Sequence, residues 1–318
     1  MDNLLGIDIG GTKCAVTYGI KTGDNLTVVD KEKFPTTEVN ETIAHICAAT
    51  KAMMQKHGLT PQNTSAIGIS CGGPLDSRKG VVMSPPNLPG WDNIPITAII
   101  EKETGIKCGL QNDANACALA EWKFGAGRGT QNMVFLTFGT GLGAGIIANG
   151  QIYTGANDNA GEAGHIRLAE FGPVGYGKAG SFEGFASGSG IAQLARMRLS
   201  EVYQMGGKVV WCDYGQIDAI TAKDVTEAAA AGDPLALEIV QLSARYLGIG
   251  LSVLIDILNP ELIVIGGVFA RREGLFRPQM EETIRREALP LASRVCRVVP
   301  AQLGEAIGDY AALSVVNS

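Results

Sequence analysis

Apolar residues in the first thirty positions come in short blocks, not at helical spacing. Leu4-Leu5-Gly6-Ile7-Asp8-Ile9 reads as a strand, broken by Gly10-Gly11, and Cys14-Ala15-Val16-Thr17-Tyr18 resumes it, which predicts a hairpin with a glycine bend. Leu26 to Val29 adds a third strand. From Glu41 to His57 the period changes: Ile43, Ile46, Cys47, Thr50 and Met54 recur every three or four residues and Gly58 supplies a stop, the pattern of an amphipathic helix. Ala66 to Ser70 returns to a buried strand, so the block reads β-β-β-α-β. A similar block opens at Asn132, with Val134-Phe135-Leu136 and Ile146-Ile147 as strands on either side of a glycine turn and a further strand at Leu262 to Ile265. The longest helix runs from the Asp233-Pro234 start to Asn259-Pro260. Ala306 to Val316 reads as a terminal helix with one apolar face, packing back on the first block.

Two glycine-turn hairpins at equivalent places suggest a duplicated α/β unit. The helix that begins at Asn112, with the glycine-rich segment 125–129 behind it, places a boundary near residue 120. The expected domains are 1–120, joined by 305–318, and 121–304.

Composition narrows the class of protein. The 318 residues are 46% hydrophobic and 18% charged, which suits a compact chain with a large core. A net charge of −6 gives no field for gripping nucleic acid, and the densest arginine stretch, Arg285 to Arg297, is interleaved with Glu287. Seven scattered cysteines without a Cys-x-x-Cys pair indicate neither a disulfide framework nor a zinc knuckle, and fit a reducing cytoplasm. The uncharged run from Gly129 to Asn157 could span a bilayer by length, but its glycines argue for strands instead, so no membrane partner is expected.

Gly6-Ile7-Asp8-Ile9-Gly10-Gly11-Thr12-Lys13 ends a strand on a carboxylate, then offers two glycines, a hydroxyl and an ammonium. Glycines let backbone N–H groups approach phosphate oxygens, and Lys13 adds charge. Asp8 would be repelled by bare phosphate but suits Mg²⁺, held directly or through water. The order Gly-Thr-Lys before a strand excludes a Walker A loop. The segment 137–145, with Gly139, Thr140 and Gly141, also follows a strand, and no helix follows it as a dinucleotide site would require. Each loop alone reads equally well as an ordinary tight hairpin; two at the heads of two α/β units favour a clamped nucleotide.

Asn112-Asp113-Ala114-Asn115 precedes an alanine-rich helix, where Asn and Asp are common caps. Asp113 could also be a general base, fixed rigidly by the helix start. Asn87 and Trp91, Glu162 and His165, and Glu183 are polar or aromatic groups in glycine-rich settings that would suit a ligand with many hydroxyls.

Together these motifs resemble the ROK family (repressor, open reading frame, kinase). The resemblance runs from Gly6 to about Gly308 and includes the 68–76 segment and Asn259-Pro260-Glu261-Leu262-Ile263-Val264-Ile265-Gly266-Gly267. It implies an actin-like, ribonuclease-H-like α/β fold of two domains with an interdomain cleft. The implied activity is phosphorylation of a hexose or N-acylhexosamine by ATP, at the C6 hydroxyl. By the same resemblance Asp113 is the catalytic base, while Asn87, Asn112, Asp113, Glu162, His165 and Glu183 bind the sugar. ATP is held by Asp8, Gly10, Gly11, Thr12, Lys13, Gly139, Thr140 and Gly141, with Gly266 and Gly267 near the adenosine. A homodimer is the family expectation.

Many members carry three zinc-binding cysteines after the histidine. Here Val174, Tyr176 and Ser181 stand in the matching segment, so no structural zinc is expected, and hydrogen bonds and packing, with Tyr176 a candidate, must hold the loop. The rival readings are a sugar-responsive transcription regulator, which would need a DNA-binding module ahead of a first loop that here begins within ten residues of Met1, and a non-catalytic sugar sensor.

Overall fold

The computed structural model describes residues 1–315. Val316, the last residue of the expected terminal helix, and the end of the 305–318 segment lie outside them. The chain folds into two compact units: Met1–Gln131 with Gly145–Ala160 and the residues from Gln302 onward, and Asn132–Ala144 with Gly161–Ala301.

The first unit is built on a five-stranded sheet. Strands β1 (Asp2–Ile9), β2 (Lys13–Thr22), β3 (Asn25–Pro35), β4 (Thr64–Cys71) and the later β7 (Cys108–Asn112) lie in the order β3-β2-β1-β4-β7. β1 to β3 form the antiparallel meander that the glycine bend requires, whereas β4 runs parallel to both β1 and β7. The third strand is longer than the apolar run 26–29 suggests, because pairing with β2 carries the polar residues Asp30 to Lys33 along the sheet. Two short strands, β5 (Leu75–Asp76) and β6 (Val81–Val82), pair with each other, as do β9 (Ala144–Ala148) and β10 (Gln151–Ile152).

Helix α1 (Val39–His57) ends at Gly58 in the left-handed region, as the sequence predicts, and its Ile46, Ala49 and Met53 join Ile7, Ile9, Val16, Ile67, Ile69 and Leu110 in one core. Helices α2 (Ile96–Thr104), α3 (Asp113–Phe124) and the terminal α10 (Ile307–Ser314) complete the unit.

A glycine stripe fixes where α10 lies. Gly6, Gly68 and Gly109 are register partners on the three parallel strands. A Cβ on Gly68 would fall 2.0 Å from the Ala312 carbonyl oxygen, one on Gly6 3.0 Å from the Leu313 nitrogen, and one on Gly109 3.2 Å from the Val315 oxygen. Helix and sheet touch backbone to backbone there, which no side chain would permit.

In the second unit, β13 (Leu262–Ile265) is flanked by β8 (Met133–Leu136) and β14 (Arg297–Pro300), all parallel. This repeats the β1-β4-β7 arrangement, and in both units the first parallel strand leads into a glycine bend, as a duplicated α/β unit predicts. Val134, Leu136, Ile263 and Ile265 pack under α5 (Gly188–Gln204), α6 (Ala222–Ala230), α7 (Pro234–Leu258) and α8 (Gly267–Glu287). Asp233 caps α7 by accepting from the Ala236 amide, with Pro234 in its first turn and Asn259 left-handed at its end. By length and composition α7 could cross a membrane, yet Ile239, Leu247, Leu251 and Ile255 form the core of the unit. The short hairpin of β11 (Val174–Gly175) and β12 (Lys178–Ala179), the helical turn α4 (Phe182–Phe185) and α9 (Pro290–Val295) complete the unit.

Candidate active site

In the first unit the two candidate carboxylates stand at the ends of regular elements. Asp8 is the penultimate residue of β1, opposite Ala15 on β2 and Ser70 on β4. Burial, followed by the charge of Asp113, pushes its carboxyl from the ordinary 3.8 up to about 6, against the opposing pull of Lys31 and Lys13. Lys31, on β3, is in turn ion-paired with Asp309 on α10. The sequence carries no hint of this pair near Asp8, because both residues read as solvated surface charges.

The bend after β1 is tight. The Gly10 amide donates to the Lys13 carbonyl at 3.1 Å, the Thr36 hydroxyl donates to the Gly10 carbonyl at 2.6 Å, and the Thr36 amide donates to the Thr12 carbonyl at 3.0 Å. Gly11, Thr12 and Lys13 are exposed. A Cβ on Gly11 would lie 2.5 Å from the Asn87 carbonyl oxygen, and one on Gly72 3.3 Å from the Asn87 side-chain oxygen. Asn87 therefore sits against both the bend and the Gly72-Gly73 turn. Its loop is anchored by fully buried Trp91, a core residue of this unit.

The cap reading of the 112–115 motif holds in the structure. Asn112 is the N-cap of α3 and accepts from the Asn115 amide at 2.7 Å, while Asp113 opens the helix and accepts from the Ala114 amide at 2.8 Å. The cap commits Asn112 Oδ1, so Nδ2 is the atom that can meet a ligand. Asp113 is open to solvent yet crowded by protein, and this desolvation raises its carboxyl pKa despite the backbone hydrogen bond. The site thus holds two neighbouring carboxylates, each with an elevated proton affinity. Hard oxygen donors of this kind fit a divalent cation such as Mg²⁺, which uses one or two carboxylates and keeps its waters. Among the described residues no group of three or more His, Cys, Asp or Glu could hold a metal ion.

In the second unit the candidates lie on irregular segments that backbone contacts weld together. The turn after β8 closes through the Thr137 amide to the Gly143 carbonyl at 3.0 Å and the Gly143 amide to the Thr137 hydroxyl at 2.8 Å. Amides at the start of α5 reach into it: Gly188 donates to the Gly139 carbonyl at 2.7 Å and Ser189 to the Thr140 carbonyl at 3.2 Å. Gly267 has φ +62°, and a Cβ there would lie 1.9 Å from the Phe138 oxygen and 3.1 Å from the Gly139 nitrogen. Gly139, Thr140, Gly141, Gly266 and Gly267, distant in sequence, are thereby brought together.

Glu162 precedes and His165 ends a turn of 3-10 helix, both exposed. Gly164 presses on the Leu142 carbonyl, and the Leu142 amide donates to Glu183 Oε2 at 2.9 Å. Glu183 lies in α4, whose cap Ser181 accepts from the Gly184 amide at 3.1 Å, and the adjacent Phe182 ring fills the space left by Gly250 on α7. The glycine turn, the Glu162–His165 turn and Glu183 therefore form one connected body within this unit.

The structure corrects the expectation for Tyr176. It is 76% exposed at the tip of the β11–β12 hairpin, with φ +44°, and its ring meets only the edge of His165, centroids 6.3 Å apart. The loop is held instead by Gln193, Lys178 and Ser181. A glutamine early in a helix and a lysine in a loop carry no local signal that would single them out.

The sequence profile of the ROK family matches residues 4–318. A glucokinase of Halalkalibacterium halodurans is 34% identical over 309 residues, covering 96% of this chain and 92% of that protein. Among solved structures, a ROK family glucokinase from Streptomyces griseus in complex with glucose and AMPPNP is 30% identical with a TM-score of 0.77, covering 99% of both chains. A ROK family transcriptional regulator homologous to an E. coli protein is 27% identical with a TM-score of 0.85, covering 99% of this chain and 77% of its own. The fold is that of the actin-like ATPases. The chain belongs to the ROK family.

Proposed function

We propose that the protein is an ATP-dependent sugar kinase that phosphorylates a hexose or an N-acylhexosamine, at the C6 hydroxyl. Similarity to glucokinases along nearly the whole chain supports the reaction class. The observation that carries the chemistry is the setting of Asp113. It is the first residue of a capped helix, open to solvent, and holds its proton more tightly than an ordinary aspartate.

Asp113 orients the sugar hydroxyl and takes its proton as the hydroxyl oxygen bonds to the γ-phosphorus and ADP leaves. Transfer of this kind needs mostly positioning and charge neutralisation, and a positioned base contributes about 10²–10⁴-fold. Asn87, Nδ2 of Asn112, Glu162, His165 and Glu183 bind the sugar hydroxyls. The backbone of Gly10 to Thr12 with Lys13, and that of Gly139 to Gly141, hold the phosphates, with Gly266 and Gly267 beside the adenosine. Asp8 would hold Mg²⁺, directly or through water, and the ion when bound would neutralise phosphate charge. The resting state is read as a homodimer.

The test is ADP release by the purified protein over a panel of glucose, mannose, fructose, allose, N-acetylglucosamine and N-acetylmannosamine. Sugar-dependent ADP release with one preferred substrate is expected; none with any sugar would reject the kinase. The regulator's higher TM-score favours one second reading, a sugar-responsive DNA-binding protein. A sugar-sensitive, salt-dependent shift of duplex DNA without ADP release would select it.

A further inference from the structure

The β11–β12 hairpin joins two candidate sugar-binding groups. On the β12 side, Lys178 Nζ donates to the His165 carbonyl at 2.7 Å, and Arg167 donates to the Ala179 carbonyl at 2.8 Å. The Leu168 and Ala169 amides both donate to the Gly180 carbonyl, at 2.8 and 3.1 Å. On the β11 side, Gly175 lies directly on the turn that bears Glu183. A Cβ there would come within 2.7 Å of Ser181 Oγ, 2.8 Å of the Gly184 nitrogen and 2.9 Å of Glu183 Cβ.

With two residue pairs, such a hairpin is not stable alone and needs an outside tie. Gln193, in the second turn of α5, supplies it. Its Oε1 accepts from the Val174 amide at 2.9 Å and its Nε2 donates to the Val174 carbonyl at 2.8 Å. One side-chain amide thus satisfies both edge groups of the strand, as a neighbouring strand would. α5 is itself rigid here, capped by buried Ser187, which accepts from the Gly190 amide at 2.9 Å.

We propose that Gln193 and Lys178 are positioning residues that set His165 and Glu183 for the sugar, Gln193 by fastening Val174 to α5 and Lys178 by holding the His165 carbonyl. The proposal rests on the sugar-kinase reading for what His165 and Glu183 bind. The brace itself is a property of the fold.

The test compares Gln193→Met, which keeps the length and loses both hydrogen bonds, with Lys178→Met and Lys178→Arg. In steady-state assays on the preferred sugar, both methionine variants should raise the sugar KM about tenfold while the ATP KM stays within about twofold. Lys178→Arg, which keeps a donor, should restore most of the loss. Equal rises in both KM values, or none in the sugar KM, would overturn the proposal, because general loosening does not distinguish the substrates.

Hydrogen exchange followed by mass spectrometry decides the matter even if no sugar is turned over. Peptides covering 163–169 and 182–185 should exchange about tenfold faster in Gln193→Met than in the unaltered protein, and β13 should not change. Unchanged exchange in those peptides would refute the brace. Silence in the ADP assay together with the expected exchange would refute only the kinase reading. Lys178 is on the surface, so its variants report on the brace should Gln193→Met fail to fold.

Discussion

The two units carry their candidate groups in opposite ways. In the first, Asp8 and Asp113 stand at the end of a central strand and at the start of a capped helix, and the price of their position is raised proton affinity. In the second, Glu183, His165 and the glycine turn lie on segments with little regular structure, held by amides that reach carbonyls across the chain. Charged groups that must stay put under repulsion are built on rigid elements, whereas the candidate groups of the second unit use backbone shaped by many small contacts. The first kind of site is sensitive to charge, and the second to single atoms of volume or single hydrogen bonds.

The sharpest way to break that contrast is Asp113→Asn. Turnover should fall about 10²–10⁴-fold with the sugar KM changed by less than about threefold, since the amide keeps the shape but cannot take a proton. A fall of less than about tenfold in kcat would remove Asp113 from proton transfer. Next in size is Gly68→Ala, which tests how rigid the first unit is. The methyl would meet the Ala312 carbonyl at 2.0 Å, and α10 must move, at a cost of about 3 kcal/mol by urea unfolding. A loss below about 0.5 kcal/mol would mean that α10 is not seated on the stripe.

Asp8→Asn probes stored charge. A carboxyl whose pKa is raised on folding supports the folded state below about pH 4, and that support is lost as pH rises through about 6, so at pH 7 the ionised group opposes folding. The asparagine variant of the metal- and nucleotide-free protein should gain about 2 kcal/mol at pH 7 and nothing at pH 4 in thermal melts. An equal gain at both values would rule out the charge explanation. The smallest effect tests the second unit: Ser187→Ala removes the cap of α5, costing about 1 kcal/mol. The ATP KM should rise about twofold to fivefold, because the Gly188 and Ser189 amides that shape the glycine turn belong to that helix start. An unchanged ATP KM would separate the turn from the helix.

The same contrast separates what could be read from the chain from what could not. The β1–β2 hairpin, α1 with its Gly58 stop and α7 with its Asp233 cap all follow from local pattern and capping chemistry. Helix α2 and strand β7 did not stand out, as both are short, and β7 takes its pairing from β4, about forty residues earlier in the chain. Asp8 and the glycine loops were visible because a carboxylate or a run of glycines at the end of an apolar strand is unusual in itself, and Asp113 because it opens an alanine-rich helix. Gln193, Lys178 and the Lys31–Asp309 pair were not, since each becomes informative only through the partner it meets.

Local order and residue chemistry, then, were written in the sequence: period fixes strand or helix, capping fixes the ends, and the motifs carried the resemblance to the family. Tertiary structure alone decided which glycines matter and why. Gly6, Gly68 and Gly109 are ordinary strand glycines until register aligns them under α10, and Tyr176 looks like a loop anchor until the fold leaves it in solvent. The physical reason is the same in each case: a contact between residues far apart in the chain depends on distances that no local pattern encodes.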